Sequence, residues 1–258
     1  MVTVLFHSTI FGPIRSRRLG VSLGVNLSPN DGKVCSFDCI YCEAGYNSQG
    51  VGTTGLPKRE DVSRELEEKL LAMMQAGEQL DVITFSGNGE PTLHPQFSEI
   101  INDTIALRDK YFPLVKISVL SNSTRLGNEK VVEALRKVDN NILKLDSAIT
   151  STMQLIDQPT SPSFTCEGVI NQLAQFSGQC VIQTMFLRGV HDEKIIDNTT
   201  VHEFEALIEA YKRISPRQVM IYSIDRKTPE QQLEKVSYEE LEAIATQIRK
   251  EGIEVTVS

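Results

Sequence analysis

Three cysteines stand four and then three residues apart in Cys35-Ser-Phe-Asp-Cys39-Ile-Tyr-Cys42, in a chain that has only five. A thiolate is a soft ligand suited to iron–sulfur iron or to zinc. A four-iron cluster is usually held by four cysteines, so three within reach would leave one iron open to another molecule. The short spacers let one loop wrap three corners of a cube, with Phe37, Ile40 and Tyr41 available to shield it. Two other chemistries use the same residue type. Zinc takes four ligands, commonly as paired elements, and no second pair follows here. A disulfide would leave one thiol over and suits a secreted protein.

Other residues with chemical potential cluster at a few places. Ser86-Gly-Asn-Gly89 precedes Glu90-Pro91, and its small residues would let the backbone approach a ligand closely. The same pattern also makes a plain strand-to-helix turn. Ser121 and Asn122, Lys144 and Asp146, Gln183 and Met185, and Tyr222 with Ile224 each sit near the end of an apolar run. Turn chemistry, a structural ion pair, core filling and a buried aromatic are the ordinary explanations of these four. Arg15, Arg17 and Arg18 form one small basic group, and Arg226 with Lys227 forms another. Guanidinium forks suit phosphate or carboxylate.

The elements that must position these residues alternate strand with helix, which argues for a parallel sheet covered by helices. Strands are expected at 19–27, 82–85, 115–120, 142–146, 180–186 and 219–224, with a short last one at 253–257. Helices are expected at 59–76, from Pro95 onward, after the Asn128 cap, at 167–176, at 201–214, and after Ser237, whose pairing with Glu240 is a capping box. The segments 151–164 and 188–198 read as loops, the first broken by Pro159 and Pro162 and holding at most one helical turn. The cysteines and the other polar positions all fall after carboxyl ends of strands, where such folds bind ligands.

At 258 residues the whole chain, 1–258, fits one domain with a sizeable core. Its net charge of −8 opposes nucleic acid in bulk, although a local basic patch could override that. The start lacks a cationic, apolar leader, no run is long enough to span a membrane, and the cysteine usage suits a reducing cytoplasm. Cys166 and Cys180 read as buried thiols.

C-x3-C-x2-C with an aromatic before its last cysteine resembles the signature of the radical S-adenosylmethionine (radical SAM) superfamily. Phe85-Ser-Gly-Asn-Gly-Glu-Pro-Thr-Leu-His-Pro95 resembles that family's glycine–glutamate motif, with Asn88 where many relatives have Gly. The stretch from Phe11 to Gly24 is similar to a small subgroup related to the tRNA wyosine-synthesis enzymes. The resemblance implies an α/β six-stranded partial (β/α)6 barrel, open on one side. It implies a 4Fe–4S cluster on Cys35, Cys39 and Cys42, and S-adenosylmethionine as the second cofactor. Ser86, Gly87, Asn88, Gly89 and Glu90 would then meet the methionine moiety, Ser121 and Asn122 a ribose, and Gln183 and Met185 carboxylate or adenine. Tyr41, Asp146 and Tyr222 would complete the cofactor site, and Arg17 and Arg226 would meet substrate. Reductive cleavage would give a 5′-deoxyadenosyl radical that takes hydrogen from a substrate. That substrate would be a tRNA base or, alternatively, a small molecule or peptide, with an electron donor such as flavodoxin or ferredoxin. A metal-holding module without chemistry is the competing class.

Overall fold

The computed structural model describes residues 4–16 and 18–258. Arg17, expected at the substrate site, lies outside the described residues. Ten strands occur among them: β1 (Ile10–Ser16), β2 (Gly20–Val25), β3 (Val82–Phe85), β4 (Lys116–Ser121), β5 (Asn140–Lys144), β6 (Cys180–His191), β7 (Lys194–Asp197), β8 (Gln218–Ser223), β9 (Leu233–Lys235) and β10 (Val255–Val257). Seven helices accompany them: α1 (Arg59–Ala76), α2 (Phe97–Tyr111), α3 (Glu129–Lys137), α4 (Thr150–Ile156), α5 (Cys166–Ala174), α6 (Val201–Ile214) and α7 (Tyr238–Lys250).

The sheet runs β1-β2-β3-β4-β5-β6-β8-β10. Every neighbour from β2 to β10 is parallel, and β1 alone on this path is antiparallel. Among the described residues β1 and β10 do not pair, so the barrel stays open between them. This is the expected α/β partial barrel, with a short seventh parallel strand and an added antiparallel edge.

Alternation along each strand separates two faces. Leu23, Val25, Ile83, Phe85, Ile117, Val119, Leu143, Ile182 and Ile221 point outward into the main core. Helix residues such as Val62, Leu66, Leu70, Phe97, Ile100 and Leu207 cover them there. Ser22, Gly24, Thr84, Leu120, Ile142, Gln183 and Met220 point the other way and line a cavity of about 570 Å³, the barrel lumen.

Three segments depart from the sequence expectation. Residues 188–198 are a hairpin, because β6 runs on past the sheet and turns back into β7 through Asp192 and Glu193 at positive φ. Neither is a glycine, so the usual hairpin turn signal is missing. Residues 150–156 form α4, in front of the prolines that had marked the segment as loop. Pro91–Leu93 forms one 3-10 turn, and α2 begins at Phe97 instead of Pro95.

Candidate functional site

The cysteine loop follows β2 and is tied to three other elements. Val34 pairs in parallel with Gly89, donating its amide to the Asn88 carbonyl at 3.3 Å and accepting from the Glu90 amide at 3.0 Å. The Asp38 and Ile40 amides donate to the carbonyls of Asp157 and Ile156 at the end of α4, at 2.9 and 3.0 Å. The Asn47 amide group donates to the carbonyls of Cys35 and Phe37, each at 3.2 Å. Lys33 is buried beneath, donating to the Gly45 carbonyl at 2.6 Å and to Asp38 at 3.2 Å.

All five cysteines are free thiols. Cys35, Cys39 and Cys42 belong to one apolar group with Phe37, Ile40, Tyr41, Ile156 and Met185. Burial pushes the Cys35 thiol up to about 12 and raises Cys39 well above the ordinary thiol value. Cys35 accepts a contact from the Asn122 amide, and the Cys39 thiol turns to Asp157, each at 3.5 Å. Among the described residues no three His, Cys, Asp or Glu side chains already meet as a preset metal cluster.

Tyr41 reaches across to β5, where its hydroxyl contacts both Lys144 and Asp146. Lys144 pairs with Asp146 at 2.9 Å and approaches Asp157 at 3.8 Å. Burial alone would lower the Lys144 ammonium, but Asp146, Cys39 and Asp157 together raise it well above the usual lysine value. Burial, then the neighbouring Asp146, raises the Asp157 carboxyl strongly. Asp146 also accepts from the Met185 amide at 2.9 Å, and its carbonyl accepts from Asn198 at 2.8 Å.

The glycine–glutamate loop is held rigidly. The Asn88 side chain bonds both the amide and the carbonyl of Phe6, at 2.8 and 2.9 Å, and donates to the Pro29 carbonyl. Glu90 accepts from the Thr92 amide and hydroxyl, from the Ser121 hydroxyl at 2.9 Å and from the Asn122 amide at 2.6 Å. It caps the 3-10 turn and clamps this loop to the end of β4. Gly87 and Gly89 are required by packing: a Cβ would come 2.4 Å from Asn26 Oδ1 and 1.9 Å from the Val34 carbonyl.

The structure therefore groups Tyr41 and Met185 with the thiols and sets Asn122 against Cys35, with Ser121 on Glu90 and Asp146 on Tyr41 one contact further back. Tyr222 lies on the same wall, under the Arg18 guanidinium at 4.7 Å. Ser86 and Gln183 face the lumen instead. Arg226 stands on the lumen rim and pairs with Glu43 at 2.6 Å. Sequence reasoning missed Lys33, Asp157, Asn198 and Asn26, whose side chain bonds the Ser28 carbonyl and the Asn88 amide. Only Lys33, a cation two residues before a cysteine, carried a local signal.

The Radical SAM superfamily model matches residues 30–198. A UPF0026 protein of Helicobacter pylori (strain J99) is 30% identical over 219 residues, 84% of this chain and 66% of the relative. A UPF0026 protein of Methanocaldococcus jannaschii is 31% identical, covering 72% of this chain and 57% of its own length. This chain thus spans about two thirds or less of these relatives. Among solved structures, a radical SAM methyltransferase from Sphaerobacter thermophilus superposes with a TM-score of 0.67 at 13% identity, over 92% of this chain and 65% of that one. A structure of TYW1 with a lysine-pyruvate adduct bound gives 0.62 at 16% identity, over 89% and 73%. Among the described residues, no helix is long and apolar enough to cross a membrane.

Proposed function

The chain belongs to the radical SAM superfamily, whose members are enzymes that use a 4Fe–4S cluster and S-adenosylmethionine, and from that premise we propose that Cys35, Cys39 and Cys42 hold the cluster here. The observation that carries this is the placement of three free thiols on one loop, against an apolar wall at the carboxyl end of a parallel sheet. The donor set fits the group. The remaining cysteines, Cys166 and Cys180, belong to the main core under the helices, and so leave three ligands and not four. The side-chain partners of Cys35 and Cys39 are contacts at 3.5 Å.

Held by Cys35, Cys39 and Cys42, a bound cluster would supply the electron for reductive cleavage of S-adenosylmethionine and so the radical chemistry of the site. The chain's own residues bind, orient and exclude water. Phe37, Ile40 and Met185 wall off solvent on the thiol side. The rigid 86–90 backbone offers amides and carbonyls to the amino group of the methionine moiety. Ser121 and Asn122 present short polar groups for a ribose, and Tyr222 with Ile224 an apolar wall for adenine. Glu90, Asn88, Gly87 and Gly89 support this surface from behind. Tyr41 and Asp146 stand in one polar cluster with Lys144, which fixes the cysteine loop against β5. A flavodoxin- or ferredoxin-type donor would supply the electron.

A tRNA base as substrate is the second reading, supported by the likeness of the segment from Phe11 to Gly24 to the wyosine-related subgroup. The net charge of −8 weighs against it. The test of the main reading is anaerobic reconstitution with iron and sulfide, reduction with dithionite, and chromatography for 5′-deoxyadenosine. Slow formation is expected without substrate. A fully loaded, reduced protein that forms none with any candidate substrate would refute it.

A further inference from the structure

We propose that the barrel lumen takes a small organic anion with a flat apolar body, its carboxylate or phosphate held at the rim by Arg15, Arg18 and Arg226. This rests on the reading just given, since it concerns the substrate of that same site.

The lumen is lined by inward residues of six parallel strands and has a volume of about 570 Å³. That is the size range of small-molecule sites. Phe6, Phe11, Leu120, Ile142 and Met220 supply apolar walls. The Phe6 and Phe11 rings stack with centroids 3.8 Å apart and planes at 19°. Phe11 lies directly on the inner face of β2, where a Cβ at Gly24 would come 2.1 Å from its ring. An absent side chain at 24 thus makes room for an aromatic wall, which suits a flat ligand.

Inside, the hydroxyls of Ser22 and Thr84 bond each other at 2.7 Å. Gln183 is different. It is only 8% exposed, it lines the cavity, and among the described residues its side-chain amide makes no hydrogen bond. Its amide opens into the cavity, where a ligand can reach it. An amide offers both donor and acceptor, so the ligand edge that meets it carries polar atoms.

Charge completes the description. Three guanidiniums stand on the cavity against one acidic group, Glu43, which pairs with Arg226. Arg18 lies over the Tyr222 ring, and among the described residues neither Arg15 nor Arg18 has a carboxylate at ion-pair distance. Asp81 is within electrostatic reach of Arg15, but its carboxylate already accepts from the Val21 amide at 2.7 Å and from Gln79. A net positive rim on a chain of −8 is a local reversal of sign at an entrance. A fork of this kind recognises carboxylate or phosphate, and the acidic remainder of the surface disfavours a long polyanion.

The test uses the full chain, cluster-loaded and saturated with S-adenosylmethionine, in anaerobic calorimetry. The probes are 1-naphthoate and its neutral analogue 1-naphthamide. The acid is expected to bind at least tenfold more tightly. Arg18→Gln with Arg226→Gln should remove that preference while the amide's affinity stays, which also shows that the variant is folded. Met220→Trp, filling the lumen, should remove both ligands. Equal binding of acid and amide, a preference that survives the double variant, competition with S-adenosylmethionine, or displacement of naphthoate by bulk tRNA would each overturn the proposal. Failure of nucleoside formation alone refutes the preceding reading, whereas absence of an acid preference in the unaltered protein refutes this one.

Discussion

The Lys144 ammonium and the Asp146 carboxylate pair at 2.9 Å beside the thiols, with Asp146 fully buried. The two residues sit at the end of β5, and Tyr41 of the cysteine loop touches both. The pair is therefore a joint between the loop and the barrel wall. Breaking a buried pair from one side leaves an uncompensated charge, which costs about 3–5 kcal/mol. Lys144→Met should lower the stability of metal-free protein by that order in urea unfolding. Lys144→Met with Asp146→Asn should recover part of the loss. A single variant as stable as the parent would show that the pair contributes nothing.

Cys35→Ala, Cys39→Ala and Cys42→Ala should each abolish cluster retention, because two thiols remain where three are needed. Cys166→Ala and Cys180→Ala should retain it, since both lie in the main core. Iron and acid-labile sulfide after reconstitution provide the measurement. A full cluster in the Cys39→Ala protein would undo the ligand assignment.

Gly89→Ala should fail at both stability and cluster content. Its new Cβ would press into the Val34 carbonyl at 1.9 Å and part the bridge that carries the cysteine loop. Overpacking of this kind costs about 1–3 kcal/mol. Thermal unfolding and iron content should fall together. If stability drops but iron content does not, the bridge does not position the loop.

The first six parallel strands were legible because each carries outward apolar residues and ends at a polar turn, and β10 by its alternating valines. β1 was not, since Gly12 and Pro13 interrupt its pattern and its inward residues face a cavity. The 188–198 hairpin was hidden for a related reason: its strands pair with each other and with β9 and carry polar side chains. At the site, the spacing of the cysteines announced itself locally. Asp157 did not, because its meeting with Cys39 joins positions 118 residues apart, and no neighbouring residue foretells it. Arg226 shows the limit in another way: its type was informative, but its pairing with Glu43 joins positions 183 residues apart.

Thiol reactivity should divide the cysteines. Burial pushes Cys166 to about 12 and Cys180 to about 11. The thiolate is the nucleophile, so at pH 8 only roughly one molecule in a thousand or fewer carries it at either position. Both should resist iodoacetamide in the folded protein and react after denaturation, as mass spectrometry of tryptic peptides would record. Rapid labelling of Cys180 at pH 8 would contradict its burial under the helices.

A barrel that never closes keeps two raw borders, and unpaired strand borders invite other chains to add on. At one border β1 carries Pro13, which has no amide hydrogen to offer, followed by Arg15. At the other, β10 is three residues long. Both borders are thus poor templates for a foreign strand. The gap can stay open to a ligand without making the molecule adhesive to its own copies.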